Sequence, residues 1–143
     1  MFVLLNGNTL GALMLDCLVT QRAALGTLPE NGAVGKTIVT AELGRKIAER
    51  HGLTVIDVLT GFKFIGEKID EFERTGAHTF VIGYEESYGY LVGDFVRHKD
   101  AVQAVVLLAE VTAYYKAHGG GPGSRRWTGC SPNTGRISSG SSL

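Results

Sequence analysis

The chain has 143 residues, 44% of them hydrophobic, and its 14 basic and 14 acidic side chains balance to a formal charge of zero. That length fits one domain with a proper core plus a tail, and the charge balance leaves no electrostatic footprint for nucleic acid or an anionic membrane surface. The apolar runs break well short of the roughly 18 residues a membrane span needs. The start lacks a signal peptide's basic flank, and two cysteines, Cys17 and Cys130, fit a reduced, cytoplasmic setting.

Phe2 to Leu5 reads as a strand. From Asn8 onward, Leu10, Leu13, Met14, Cys17 and Leu18 recur at helical spacing, with Asn8 or Thr9 as the cap and Cys17 as core filler. Gly26, Pro29 and Asn31-Gly32 form a loop. Val34 to Val39 then reads as a strand leading to Thr40, an N-cap for a helix that buries Leu43, Ile47 and Ala48 and ends at Gly52. Leu53 to Leu59 is a strand, and Thr60 opens a third helix with Phe62, Ile65, Ile69 and Phe72 inward and Lys63 and Glu67 paired on its surface. Gly76 stops that helix, and Thr79 to Ile82 forms a β-branched and aromatic strand. Ala101 to Tyr115 is apolar enough for a buried helix, and Asp100 with Gln103 makes a start like a capping box. From Gly119 the composition turns to Gly, Ser, Arg and Pro without apolar period, which predicts a domain over 1–118 and a disordered tail over 119–143. Strands alternating with helices indicate an α/β layer, whose ligands sit beyond the carboxyl ends of the strands.

The segment from Gly83 to Asp100, GYEESYGYLVGDFVRHKD, reads as a binding loop hung between two core elements. Carboxylates at Glu85 and Glu86 and the hydroxyl of Ser87 can exchange hydrogen bonds with the vicinal hydroxyls of a sugar, and Lys99 beside a helix start suits a phosphate. On residue type alone a solvated acidic loop is the favoured reading of both glutamates. Tyr84, Tyr88 and Tyr90 are read as packing residues, and Asp94 with Arg97 as an internal ion pair. His51 and His78 have no second ligand at metal spacing, so no metal site is expected.

Several motifs together resemble one family. Gly83-Tyr84-Glu85-Glu86-Ser87-Tyr88-Gly89, Gly93 to Arg97 and Lys99-Asp100-Ala101 are similar to the sugar-recognition loop of the α-D-phosphohexomutases, the phosphoglucomutases and phosphomannomutases. Leu5 to Asn8, Gly11 to Leu13, Lys36 to Thr40 and Leu59 to Gly66 match in order, so the resemblance covers about residues 2 to 118 of that family's third domain. It implies a three-layer α/β/α fold around a mixed, mostly parallel four-stranded sheet with one antiparallel strand. It also implies that Glu85 and Ser87 contact sugar hydroxyls, that Thr60 and Gly61 line the cleft, and that Lys99 stands near the reacting phosphosugar. His98 occupies a position where similar sequences often carry Asp.

By the same resemblance, the full enzyme would interconvert hexose 1-phosphate and hexose 6-phosphate through a phosphoserine and a bisphosphate intermediate. Its Mg2+ would be bound outside this chain. Neither a Ser-His-Asn-Pro phosphoserine segment nor an Asp-x-Asp-x-Asp-Arg metal loop occurs here. The expected partners are a hexose phosphate and the remaining domains of the same enzyme, and the isolated chain is expected to be inactive. The rival reading is a non-catalytic or vestigial sugar-phosphate-binding fragment. A nucleotide-binding domain is disfavoured, because Gly83 to Gly89 has no P-loop lysine after it.

Overall fold

The structure, a computed structural model, describes residues 4–118. Its elements run α1 (Gly7–Ala24), β1 (Gly32–Thr37), α2 (Leu43–Arg50), β2 (Thr54–Val58), α3 (Phe62–Thr75), β3 (Thr79–Glu85), β4 (Gly89–Val92) and α4 (Ala101–Ala117). The strands lie in the order β2-β1-β3-β4, with β1 parallel to both β2 and β3, and β4 antiparallel to β3. The fold is therefore the α/β/α arrangement with a mixed, mostly parallel sheet. The tail expected from residue 119 lies outside the described residues.

Strand alternation divides the core. Val34, Ile82, Tyr84 and Tyr90 point to one face, where Met14, Leu15 and Val19 of α1, Ile47 and Ala48 of α2 and Ala104 of α4 cover them. Ala33, Val58, Phe80 and Leu91 point to the other, against Phe62, Ile65, Ile69 and Phe72 of α3. A bulge breaks the β1–β3 register, since Ala33 pairs with Phe80 but Val34 with Ile82, so Val81 and Ile82 both join the first core. Cys17 is buried between α1 and α4 beside Val111 and Tyr115, as its place on the α1 stripe predicts.

The β-hairpin of β3 and β4 replaces the expected binding loop: Tyr84 and Glu85 belong to a strand and are buried. β1 also starts two residues early and stops at Thr37, leaving Ile38 and Val39 exposed in a turn. Three caps differ from expectation. Asn6 caps α1 by accepting from the Thr9 amide at 2.9 Å, while Asn8 Oδ1 accepts from the Ala41 amide at 2.9 Å. Thr40 is buried with its hydroxyl engaged elsewhere, and α2 begins after Glu42 without a side-chain cap. Gly61, not Thr60, occupies the cap position of α3, at a φ of 119° that a side chain would resist. Leu4 and Leu5 are not in a strand, and Phe2 and Val3 lie outside the described residues.

The last helix does begin at the Asp100 cap, whose carboxylate accepts from the Gln103 amide at 3.1 Å. The Gln103 side chain does not close a capping box. It turns to β4, accepting from the Val92 amide at 2.7 Å and donating to the Val92 carbonyl at 2.6 Å. Nor is α4 buried all round: Ala104, Val111 and Tyr115 face inward while Val102, Val105 and Val106 are exposed.

Candidate functional site

Because β1, β2 and β3 run parallel, their carboxyl ends share one edge of the sheet and carry three neighbouring connections. These are the β1–α2 turn from Ile38, the β2–α3 turn with Thr60 and Gly61, and the hairpin tip Glu86 to Tyr88. After β4 the chain returns toward this edge over α3. The Arg97 carbonyl packs on Gly66, where a Cβ would fall 2.4 Å from it, and the Arg97 guanidinium pairs with Asp70 and Glu73. Arg97 donates to the Asp94 carbonyl instead of pairing with the Asp94 carboxylate, which corrects the expected ion pair. Next to it, the His98 ring stands 5.8 Å from that of Phe62, the first residue of α3.

This return delivers Lys99 to Glu85. Its Nζ lies 3.0 Å from Glu85 Oε1, with the glutamate side chain 7% exposed and the lysine side chain 45% exposed. Glu85 lies across Gly89, where a Cβ would meet its Oε1 at 2.5 Å, so the pair needs a glycine at the start of β4. Ser87 is exposed at the hairpin tip. Thr60 is exposed at the end of β2, with β1 intervening between β2 and the hairpin strand. Among the described residues no hydrogen bond joins Thr60 or Gly61 to Glu85, Ser87 or Lys99, although the Phe62–His98 contact brings the two segments close. Glu85 and Lys99 thus touch, while Ser87, Thr60 and Gly61 share their edge with no hydrogen bond to them among the described residues.

Two polar networks escape a reading of the sequence. Lys36, the next-to-last residue of β1, is 1% exposed and sits 2.9 Å from Glu42 and 3.0 Å from Asp57, donating also to the Thr40 carbonyl at 3.1 Å. Arg45 joins the same carboxylates, and hydrogen bonds from Lys36 and then Arg45 hold the Glu42 carboxyl below its ordinary range. A lysine inside a buried strand demands such partners, and that is the signal the sequence offers. The second network joins Glu86 to Thr37 and Thr40. The expected Lys63–Glu67 pair is not among those described: Lys63 Nζ lies 4.8 Å from the centre of the Phe64 ring, and Lys68 pairs with Glu71. Tyr84 and Tyr90 are core residues, as read, with the Tyr90 hydroxyl donating to the Gly7 carbonyl at 3.0 Å.

A family model described as "Phosphoglucomutase/phosphomannomutase, alpha/beta/alpha domain III" matches residues 6–120. The chain belongs to this family, as its domain III. Phosphoglucomutases of Staphylococcus haemolyticus and Staphylococcus epidermidis are 42% and 39% identical to it over 114 residues. Each alignment covers 80% of this chain and 20% of the relative, so this domain III spans one part of a longer enzyme in the curated relatives it matches. A Thermus thermophilus chain with a provisional phosphomannomutase name superposes with a TM-score of 0.57 at 27% identity, covering 77% of this chain and 22% of its own length. Parafusin of Paramecium, at 20% identity and a TM-score of 0.56 over 81% of this chain and 18% of its own, shares the domain III fold.

Among the described residues no three His, Cys, Asp or Glu are grouped to hold a metal ion, and no helix is long and apolar enough to cross a membrane.

Proposed function

We propose that this domain III is the sugar-recognition unit of a cytoplasmic phosphohexomutase. Its full-length enzyme would interconvert hexose 1-phosphate and hexose 6-phosphate through an enzyme phosphoserine and a bisphosphate intermediate. The observation that carries the reading is the Glu85–Lys99 pair beside the exposed Ser87. Lys99 occupies Oε1 of Glu85, and no hydrogen bond to Oε2 is present among the described residues, so a second acceptor remains for a sugar hydroxyl. Pairing also fixes the carboxylate, which lowers the ordering cost of recognising one hydroxyl arrangement. The half-exposed ammonium of Lys99 keeps further N–H donors for phosphate oxygens, and Thr60 and Gly61 would form the adjoining wall.

The donor set described here does not suit magnesium, so the metal of the family chemistry would be held by another part of the enzyme. No phosphoserine segment occurs in the sequence either, which favours for the chain by itself a second reading: a sugar-phosphate-binding unit without mutase turnover.

Amide NMR titration of the 143-residue chain with glucose 1-phosphate or mannose 1-phosphate tests the proposal. Shifts should centre on Thr60, Gly61, Glu85, Ser87 and Lys99, and vanish in the Ser87→Ala, Lys99→Ala double variant. One wall of a cleft recovers little association entropy, so the expected dissociation constant is about 1 mM or weaker. Shifts centred elsewhere on the sheet, or none, would overturn the reading.

A further inference from the structure

Glu86 differs from its neighbour Glu85 in where it points. As the first residue of the hairpin turn it reaches away from Lys99 to the β1–α2 turn, where its Oε2 accepts from the Thr37 hydroxyl at 3.0 Å and, at a longer 3.4 Å, from the Thr40 hydroxyl. The two threonine hydroxyls are 2.7 Å apart and both residues are buried. Thr40 is itself tied down, because its carbonyl accepts from Lys36, and Lys36 reaches across to Asp57 of β2. A continuous polar brace therefore runs from β2 through β1 and the β1–α2 turn to the hairpin tip.

The tip needs holding. Tyr88 adopts a φ of 62°, a left-handed conformation that a bulky residue keeps only when its surroundings enforce it. On that side the Tyr88 hydroxyl donates to the Leu5 carbonyl at 3.2 Å. Ser87 thus sits between two anchors, Glu86 on Thr37 and Tyr88 on Leu5. We propose that Glu86 is a positioning residue: its carboxylate clamps the hairpin tip to Thr37 and Thr40 and so fixes where Glu85 and Ser87 meet a hexose phosphate. The inference rests on the reading that Ser87 faces the sugar, and it makes affinity depend on the β1–α2 turn, which itself touches no ligand.

The test uses the 143-residue chain with glucose 1-phosphate as the probe. Glu86→Ala removes the acceptor, Thr37→Val removes the donor at similar volume, and Glu86→Gln retains an acceptor oxygen. Losing one such hydrogen bond should raise the apparent dissociation constant about fivefold in Glu86→Ala and in Thr37→Val. Glu86→Gln should stay near the parent, and the Glu86→Ala, Thr37→Val double variant should be no worse than either single variant. If Glu86 touched the sugar directly, Thr37→Val would leave affinity unchanged, and that result overturns the proposal.

A measurement without ligand separates this inference from the functional reading. Amide exchange at 86–88 and 38–41 should accelerate about tenfold in Glu86→Ala and in Thr37→Val, with α3 unaffected. Should the parent chain show no response to glucose 1-phosphate, the sugar-recognition reading falls while exchange still decides the clamp. Unchanged exchange at 86–88 in a folded Thr37→Val variant would sink it.

Discussion

The hydroxyl of Tyr84 stands so close to the backbone of Gly44 that a Cβ there would fall 1.6 Å from it. The same ring passes Gly11 of α1, where a Cβ would lie 2.2 Å from Cδ2, so one β3 side chain sets the spacing of both helices from the sheet. Gly44→Ala should destabilise the domain by about 1–3 kcal/mol despite the better helix propensity of alanine, because backbone and ring cannot both keep their places. Among the described residues the buried Tyr84 hydroxyl has no hydrogen-bond partner, so Tyr84→Phe should be neutral or stabilising and should soften the Gly44→Ala defect. Urea unfolding of the two single variants and the double variant measures this directly.

Burial pushes the Tyr84 and Tyr90 hydroxyls above their ordinary 10.0, Tyr90 to about 12 and Tyr84 higher still. The unfolded chain therefore gives up these protons first. Stability from keeping them neutral is complete below pH 10 and is lost as pH rises from there through the folded values. Tyr84→Phe should flatten the fall in unfolding midpoint between about pH 10 and about pH 12, leaving the residual slope to Tyr90. An unchanged slope would mean that Tyr84 does not ionise on unfolding as described.

Lys99→Ala strands a buried carboxylate. Its cost should fall between that of an exposed pair and a buried one, about 1–3 kcal/mol, because the lysine side chain is 45% exposed and the glutamate side chain 7%. Gly89→Ala pushes Glu85 from the same place and should cost a comparable amount. The double variant should be clearly less than additive in thermal denaturation; full additivity would show that the glycine serves the turn alone.

Gly66→Ala sets a methyl group against the Arg97 carbonyl, a backbone atom that cannot rotate away. The expected loss is about 2 kcal/mol, detached from ionic strength. Arg97→Ala should lose much less, since Asp70 and Glu73 are exposed, and the loss should shrink in high salt. Melting curves at low and high sodium chloride distinguish the two.

Legibility in the sequence follows periodicity. Phe62, Ile65, Ile69 and Phe72 are buried as their spacing predicts, and Asp100 caps α4 as its place before an apolar run predicts. β1 departs from expectation because its six residues, GAVGKT, hold two glycines and a lysine, while the β-branched Ile38 and Val39 beyond it lie exposed in the turn. The hairpin carries no glycine or asparagine signal at its left-handed position, which Tyr88 fills. Glu85 and Lys99 are each legible as polar residues of one segment, but their mutual contact spans 14 residues, and Arg97 meets partners 27 and 24 residues away. Such pairings depend on which strands become neighbours, and no local pattern encodes that.

The Gln103 side chain has a consequence for association. Val92 turns its amide and carbonyl outward from the sheet, as an incoming strand would require, and Gln103 occupies both. Two residues back, the Tyr90 carbonyl is taken by the Asp100 amide at 2.9 Å. One glutamine amide and one backbone N–H imitate the missing neighbour at these three groups, which blunts the β4 edge as a template on which another chain could lengthen the sheet or seed a fibril.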